Sequence, residues 1–243
     1  MMNNILSIGK SGLKSNQFKM DSIADNIANV STNGYKNKEV AFQELLNNDE
    51  INVGSKGSLS KIDFSQGTLV ESPYQYNMAI SGNGFFGVIG ENDALLLTRN
   101  GGFHMNEDMS ITDDNGYPLY IDYEIPAEEW PIDDVTISAN GDIWTNEEEL
   151  YLGRVVLFYP ENLDTLTQLG EGRYFPSANV ALYDSLENED LFGQINQYFL
   201  ESSNVDMTES FAEMITTQRA YSISAKAVQT TDEMMGIINN IKR

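Results

Sequence analysis

The sequence predicts an α+β protein. Two terminal helices are expected to pair into one discontinuous, coiled-coil-like domain, with a β-rich domain of antiparallel strands between them. Three observations predict it. Apolar residues recur at 3–4 spacing near both ends of the 243-residue chain. Between about 50 and 160 the period falls to two, the mark of strands. The acidic charge is concentrated in that same middle.

The first element is a helix ending in a turn. Leu6, Gly9, Leu13, Asn16, Met20, Ile23, Ile27 and Val30 follow a strict 3–4 spacing. That is a narrow seam, unlike the broad stripe of a helix lying on a globular core. Asn33-Gly34 supplies the stop signal.

The middle alternates, as in Met78-Ala79-Ile80, Phe103-His104-Met105 and Val135-Thr136-Ile137. Turn signals recur at GNG (82–84), END (91–93), NGG (100–102), NED (106–108), DNG (114–116) and NGD (140–142). The first five lie close enough together for antiparallel hairpins. No long helical pattern separates the strands, so a parallel α/β sheet is not expected. The acidic stretch 184–192 reads as a loop or short helix.

The last element is a long helix. Met207, Phe211, Met214, Gln218, Tyr221, Ala225, Val228, Asp232 and Met235 alternate steps of four and three. Asp206 with Glu209 has the spacing of a capping box. Lys242 and Arg243 close the helix with the charge its dipole favours. Each seam alone fits an ordinary helix on a domain core. One at each end, bracketing a middle of different character, points to pairing with each other and with other copies. The resulting domains are 1–35 with 205–243, and 36–204.

Composition excludes several functions. Fourteen Lys and Arg face 37 Asp and Glu, a formal charge of -23, and the sequence pI is about 4.1. Nucleic acid is therefore not an expected partner, since each phosphate contact needs a cation. Segment 1–46 is near neutral, as is 201–243, and almost all the negative charge falls in between. There is no cysteine and one histidine, His104, so thiol catalysis and Cys/His zinc sites are excluded. No apolar run is long enough to span a membrane. The opening MMNNILSIGKSGLKSNQ lacks the apolar core and cleavage site of a Sec leader, so none is expected there.

The search for chemistry yields little. Gly82-Asn83-Gly84-Phe85-Phe86-Gly87 spells a dinucleotide fingerprint but leads into a strand and a turn, where that site needs a helix. It reads as a glycine-rich turn. Asp113-Asp114-Asn115-Gly116 resembles part of a calcium loop but lacks the ligands before the glycine and the closing Glu. The acid pairs Glu128-Glu129 and Asp133-Asp134 are expected by chance in so acidic a chain. His104 alternates with Phe103 and Met105 and so faces outward. Trp130 and Trp144 read as core or loop anchors. No catalytic, cofactor-binding or metal-binding residue is assigned.

The ends carry a resemblance. MDSIADNIANVSTNGYKNKEVAFQELL (20–46), centred on ANVSTNGYK (28–36), resembles the N-terminal signature of bacterial flagellar rod and hook proteins. LESSNVDMTESFAEMITTQRAYSISAKAVQTTDEMMGIINNIKR (200–243), with Ser203-Asn204-Val205 and Gln218-Arg219-Ala220-Tyr221, is similar to that family's second signature. Segments 64–86, 97–119 and 152–176 continue the likeness, which is greatest to the distal-rod branch. The proximal-rod and hook branches are the alternatives. Two departures are an acidic 123–134 and a short, plain 47–63.

The resemblance implies a self-assembling structural subunit of the rod, the tubular axle that transmits torque to the hook. The terminal helices would stack with other copies as an inner tube, with the β domain outside. It implies export by the flagellar type III apparatus to the basal body, and neighbouring rod and hook proteins as partners. It implies no cofactor and no catalysis. The expected assembly residues are Leu6, Leu13, Met20, Ile23, Ile27 and Val30, then Met207, Phe211, Met214, Gln218, Tyr221, Ala225, Val228 and Met235. The motif and turn residues are Ala28, Asn29, Val30, Thr32, Gly34, Tyr35 and Lys36. The rival classes are a secreted acidic β-sandwich hydrolase and an adhesin with a helical stalk.

Overall fold

A computed structural model describes residues 2–46, 52–107, 109–126, 130, 135–145, 150–177 and 180–241. It has two long helices and a middle of antiparallel strands, an α+β arrangement. Helix α1 spans Met2–Ala28 and α2 spans Met207–Ile241. Among the described residues, no helix is long and apolar enough to cross a membrane.

The chain forms two compact units, one of residues 1–30, 37–64 and 205–243, the other of 31–36 and 65–204. The first holds both helices and a long hairpin, β1 (Lys38–Leu46) and β2 (Asn52–Ile62). This division differs from the boundaries read from the sequence. The hairpin groups with the helices, while 31–36 joins the β unit. The reason is local. Asn26, buried on α1, donates from its side chain to Asn37 Oδ1 at 2.6 Å and to the Lys38 carbonyl at 3.0 Å. Its Oδ1 accepts from the Lys38 N–H at 3.0 Å, and Lys38 Nζ lies 3.4 Å from Asp25. Hydrogen bonds along the first rung therefore fasten β1 to the helix it follows.

α1 ends at Ala28, earlier than the turn at Asn33-Gly34. The Asn29 N–H donates to the carbonyls of Asp25 and Asn26, and the Asn29 side chain returns to the Asp25 carbonyl at 2.8 Å. Asn side chains compete in this way with helix continuation. α2 opens on a cap of the expected kind. Asp206 Oδ1 accepts from the N–H groups of Thr208 at 2.7 Å and Glu209 at 3.1 Å. Lys242 and Arg243 lie outside the described residues.

Among the described residues, the β unit holds a six-stranded sheet, a four-stranded sheet and three further strand pairs. The strands in chain order are β3 (Leu69–Glu71), β4 (Met78–Ser81), β5 (Phe85–Ile89), β6 (Leu95–Thr98), β7 (Phe103–Met105), β8 (Ile111–Asp113) and β9 (Ile121–Tyr123). Then come β10 (Val135–Ile137), β11 (Asp142–Thr145), β12 (Tyr151–Val155), β13 (Leu157–Pro160), β14 (Thr167–Gly170) and β15 (Arg173–Phe175). Last are β16 (Leu182–Asp184), β17 (Gln194–Gln197) and β18 (Phe199–Glu201). One sheet has the order β14-β15-β6-β5-β13-β16 and the other β10-β11-β12-β9. The late strands return to early ones: β17 pairs with β4 and β18 with β3, both antiparallel, and the third pair is β7 with β8.

Alternation explains part of the core, as in β10, where Val135 and Ile137 are buried and Thr136 is exposed, whereas β4 and β5 are buried at successive residues. Phe86, Val88, Phe103, Ile143, Leu152 and Val155 are buried in one cluster with Trp130. Truncating one such large side chain costs about 3–5 kcal/mol. Trp130 also donates from Nε1 to the Ile125 carbonyl at 3.0 Å. Trp144 departs from its expected role. It is 39% exposed on β11 and touches Tyr151 across the strand pair, ring centres 5.2 Å apart.

Candidate functional site: the helix pair and a buried ion network

The two helices pack on each other. They run antiparallel, since Gly9 lies against Val228, Gly12 against Ser224, and Lys19 Nζ 3.4 Å from Glu213. A Cβ at Gly9 would sit 2.6 Å from Val228 Cγ2, so the glycine sets how closely the helices approach.

The sequence placed the α2 seam part of a turn away from its position. The covered stripe alternates Ser210, Met214, Thr217, Tyr221, Ser224, Val228, Thr231 and Met235. Met214, Tyr221, Val228 and Met235 were expected there and are half-buried, as is Ala225. Met207, Phe211 and Gln218 are exposed. Small hydroxyl residues fill the positions between the apolar ones. Two of these hydroxyls are met within the helix: Ser224 Oγ donates to the Ala220 carbonyl at 3.0 Å and Thr231 Oγ1 to that of Ala227 at 2.7 Å. They therefore allow close approach without leaving a donor unmet.

On α1 the residues of the expected seam are covered to different degrees. Ile23 is buried, and Leu6, Leu13, Met20, Ile27 and Val30 are half-buried, with Val30 beyond the helix end. Ser15, Ser22 and Asn26 are buried beside them.

What the pair leaves uncovered matters as much. Phe211 is 47% exposed, Ile215 51% and Ile223 69%, and Met207, Met234, Ile237 and Ile238 are also exposed. At 100° per residue Phe211, Ile215, Ile223, Met234 and Ile237 fall on the side of α2 away from the covered stripe, and Met207 and Ile238 flank it. A helix apolar on two faces but covered on one is incomplete as a single chain.

The motif residues divide between the units. Ala28 is exposed and Asn29 and Val30 are half-buried, all in the helical unit. In the β unit, the Thr32 carbonyl accepts from the Tyr35 N–H at 3.3 Å. Gly34 has φ +68°, and its N–H donates to the Glu201 carbonyl at 2.7 Å. A Cβ there would lie 2.4 Å from the Arg99 carbonyl carbon and 2.4 Å from Asn100 N. Tyr35 is buried, and Lys36 is 0% exposed.

Lys36 leads into a network that sequence reasoning missed. Its Nζ donates to Glu201 Oε1 at 2.6 Å and to the Ser65 carbonyl at 2.6 Å. Glu201 Oε1 also accepts from the Gly67 N–H at 2.8 Å, and Oε2 from Arg99 Nη1 at 3.3 Å. Arg99 Nη2 donates to the Gly82 carbonyl at 2.8 Å, and its guanidinium lies 5.2 Å from the centre of the Phe85 ring. Burial lowers the Arg99 pKa, and the Glu201 carboxylate opposes that shift. Nothing local in Tyr-Phe-Leu-Glu-Ser-Ser marks Glu201 as buried. The only signal was Lys36 inside an otherwise uncharged motif.

Gly82 and Gly84 take positive φ and β5 begins at Phe85, so 82–87 is a turn entering a strand. Asp113 Oδ1 accepts from the N–H groups of Asn115 and Tyr117, which makes 113–117 a hairpin turn. His104 is exposed, with Nε2 3.4 Å from Thr112 Oγ1, beside a groove of about 670 Å³ lined also by Tyr74, Tyr76 and Met105. The pairs Glu128-Glu129 and Asp133-Asp134 lie outside the described residues. Among the described residues, no three His, Cys, Asp or Glu are grouped to hold a metal.

Three family descriptions match the chain. Residues 6–36 match the flagella basal body rod protein family, 79–145 the flagellar hook protein FlgE/F/G D1 domain, and 196–241 the flagellar basal body rod FlgEFG protein C-terminal family. The chain is 30% identical to the flagellar basal-body rod protein FlgG of Buchnera aphidicola subsp. Schizaphis graminum, over 95% of this chain and 96% of that one. The chain belongs to the flagellar basal-body rod protein family. Other rod-family relatives are as full in length. The FlgG of Borreliella burgdorferi is 28% identical over 96% of both chains, and that of Bacillus subtilis 28% over 97% of both. Within the family the chain is most like FlgG, a structural rod subunit. Both helices lie almost wholly inside matched family regions, and so do Lys36 and Glu201.

Proposed function

We propose that this rod-family subunit polymerises helically through its terminal helix pair into the distal part of the tubular axle that carries torque to the hook. The observation that carries the reading is α2, covered by α1 on one side and bearing exposed Phe211, Ile215, Ile223, Met234 and Ile237 on the other. In this reading that second face is filled by other copies. The near-neutral ends suit a packed wall, and the acidic segment 47–200 stays in water, where salt screens its self-repulsion. Its partners are other copies of itself, the adjoining rod and hook proteins, and the flagellar type III export apparatus. It works in the basal body, beyond the cytoplasmic membrane, as building material and not as a catalyst.

The test is sedimentation and electron microscopy of the purified chain at rising concentration. The expected result is filaments or tubes from the natural sequence, and none from a Phe211→Asp, Ile215→Asp variant whose circular dichroism as a dilute monomer is unchanged. Polymers formed equally well by that variant would contradict the reading.

A further inference from the structure

The Lys36–Glu201–Arg99 network joins three distant parts of the chain. Lys36 precedes every strand of the β unit, Arg99 directly follows β6, and Glu201 ends β18, the last strand. The separations are 165 residues from Lys36 to Glu201 and 102 from Arg99 to Glu201. All three side chains are almost wholly buried. Glu201 bonds both cations and also accepts from the Gly67 N–H.

Consider the chain before residue 201 has arrived. Closing β5 and β6 would bury Arg99, and seating Tyr35 would bury Lys36. Two cations would then leave water without the carboxylate that holds both. Unpaired buried charge is among the costliest defects a core can carry. The same late segment supplies β17 and β18, the partners of β4 and β3.

We propose that this network is a completion latch: the β unit cannot close until the chain through Glu201 is present, because Glu201 is the carboxylate that makes burial of Lys36 and Arg99 tolerable. The latch links residue 36, where the chain first leaves this unit, to residue 201, close to where it leaves for the last time. It holds an incomplete chain open over about four-fifths of its length, a state suited to passage through a narrow channel. That use rests on the export reading above. The latch itself concerns only the folding of the single chain, so its test does not depend on assembly.

The test is refolding of the dilute full-length chain, followed by pulsed amide exchange. The expected result is one phase, in which the amides of β5, β6 and β13 become protected together with those of β17 and β18. Glu201→Gln keeps an acceptor for Gly67 but removes the charge. It should lose protection in β5 and β6 by roughly 100-fold or more, or fail to close. Neutralising the cations as well, in Lys36→Met, Arg99→Met, Glu201→Gln, should restore closure and bring protection back to within roughly tenfold of the natural chain. Protection of β5, β6 and β13 in an earlier phase than β17 and β18 would overturn the proposal. So would Glu201→Gln folding as the natural chain does, or a triple variant no better than Glu201→Gln, since that would mean lost packing and not unpaired charge.

Discussion

Replacing Gly34 by alanine tests a close backbone approach within the β unit. Two costs add. The residue sits at φ +68°, where an L side chain costs about 1–2 kcal/mol. The new Cβ would stand 2.4 Å from the Arg99 carbonyl carbon and from Asn100 N. Those are backbone atoms and cannot rotate away as a side-chain tip can. Relieving the overlap means moving 33–35 away from 99–100, at a further cost of about 1–3 kcal/mol typical of overpacking. It also strains the Gly34 N–H bond to the Glu201 carbonyl. The total is about 2–5 kcal/mol. Gly116→Ala is the control. Gly116 has φ +83°, but a Cβ there meets nothing within 4 Å, so only the conformational cost of about 1–2 kcal/mol applies. Urea unfolding of the dilute monomer, followed by tryptophan fluorescence, reads the difference. With a slope of about 2 kcal/mol per molar, Gly34→Ala should lower the midpoint by about 1–2.5 M, and Gly116→Ala by about 0.5–1 M. Equal midpoints for the two variants would refute the close-approach argument.

Other outcomes follow from the same geometry. Gly9→Leu should separate the helices at Val228, and amide exchange should show loss of protection in both helices while the β unit stays intact. Asp206→Ala removes the acceptor for two N–H groups and should cost α2 about 1 kcal/mol, visible as fraying of its first turn in amide exchange. Tyr221→Asp puts a charge on the covered stripe and should abolish polymerisation in a pelleting assay. Glu213→Gln breaks only the exposed pair with Lys19, worth at most about 1 kcal/mol, and should pellet as the natural chain does. Burial raises the Tyr174 and Tyr123 phenol pKa values above the ordinary 10. The unfolded chain then loses these protons first, so their contribution is intact below about pH 10 and falls above it. Tyr174→Phe should flatten the alkaline limb of a stability–pH curve, and an unchanged limb would contradict this.

Much of the fold was legible because its signals are local. The 3–4 spacing located both helices, the period-two segments located strands, and Asp206 marked the start of α2. The phase of the α2 seam was not legible in full. An apolar-only reading selects Phe211 and passes over Ser210, Thr217 and Thr231, whose small size lets α1 come close. The hydroxyls of Thr231 and of Ser224, on the same stripe, bond back along the helix, which no hydropathy pattern shows. The place of the β1–β2 hairpin was hidden for a similar reason, because it depends on Asn26 bonding across a turn to Asn37 and Lys38. Strands β14 to β18 lack a clean alternation. Leu69–Glu71 and Phe199–Glu201 pair across most of the unit, and Glu201 is recognisable as buried only once that pairing brings Lys36 and Arg99 to it.

The account rests on the uncovered face of α2 becoming an interface between copies. The chain has no cysteine, so a single introduced thiol reports on one position without background. Ile215 is 51% exposed in the single chain, whereas Thr217, two residues on, is buried against its own unit. Alkylation of Ile215→Cys and Thr217→Cys, in dilute monomer and in pelleted polymer, compares the two faces. The account predicts that the thiol at 215 reacts readily in the monomer and becomes protected in the polymer, while the thiol at 217 is protected in both. A thiol at 215 that stays fully reactive in the polymer would contradict it.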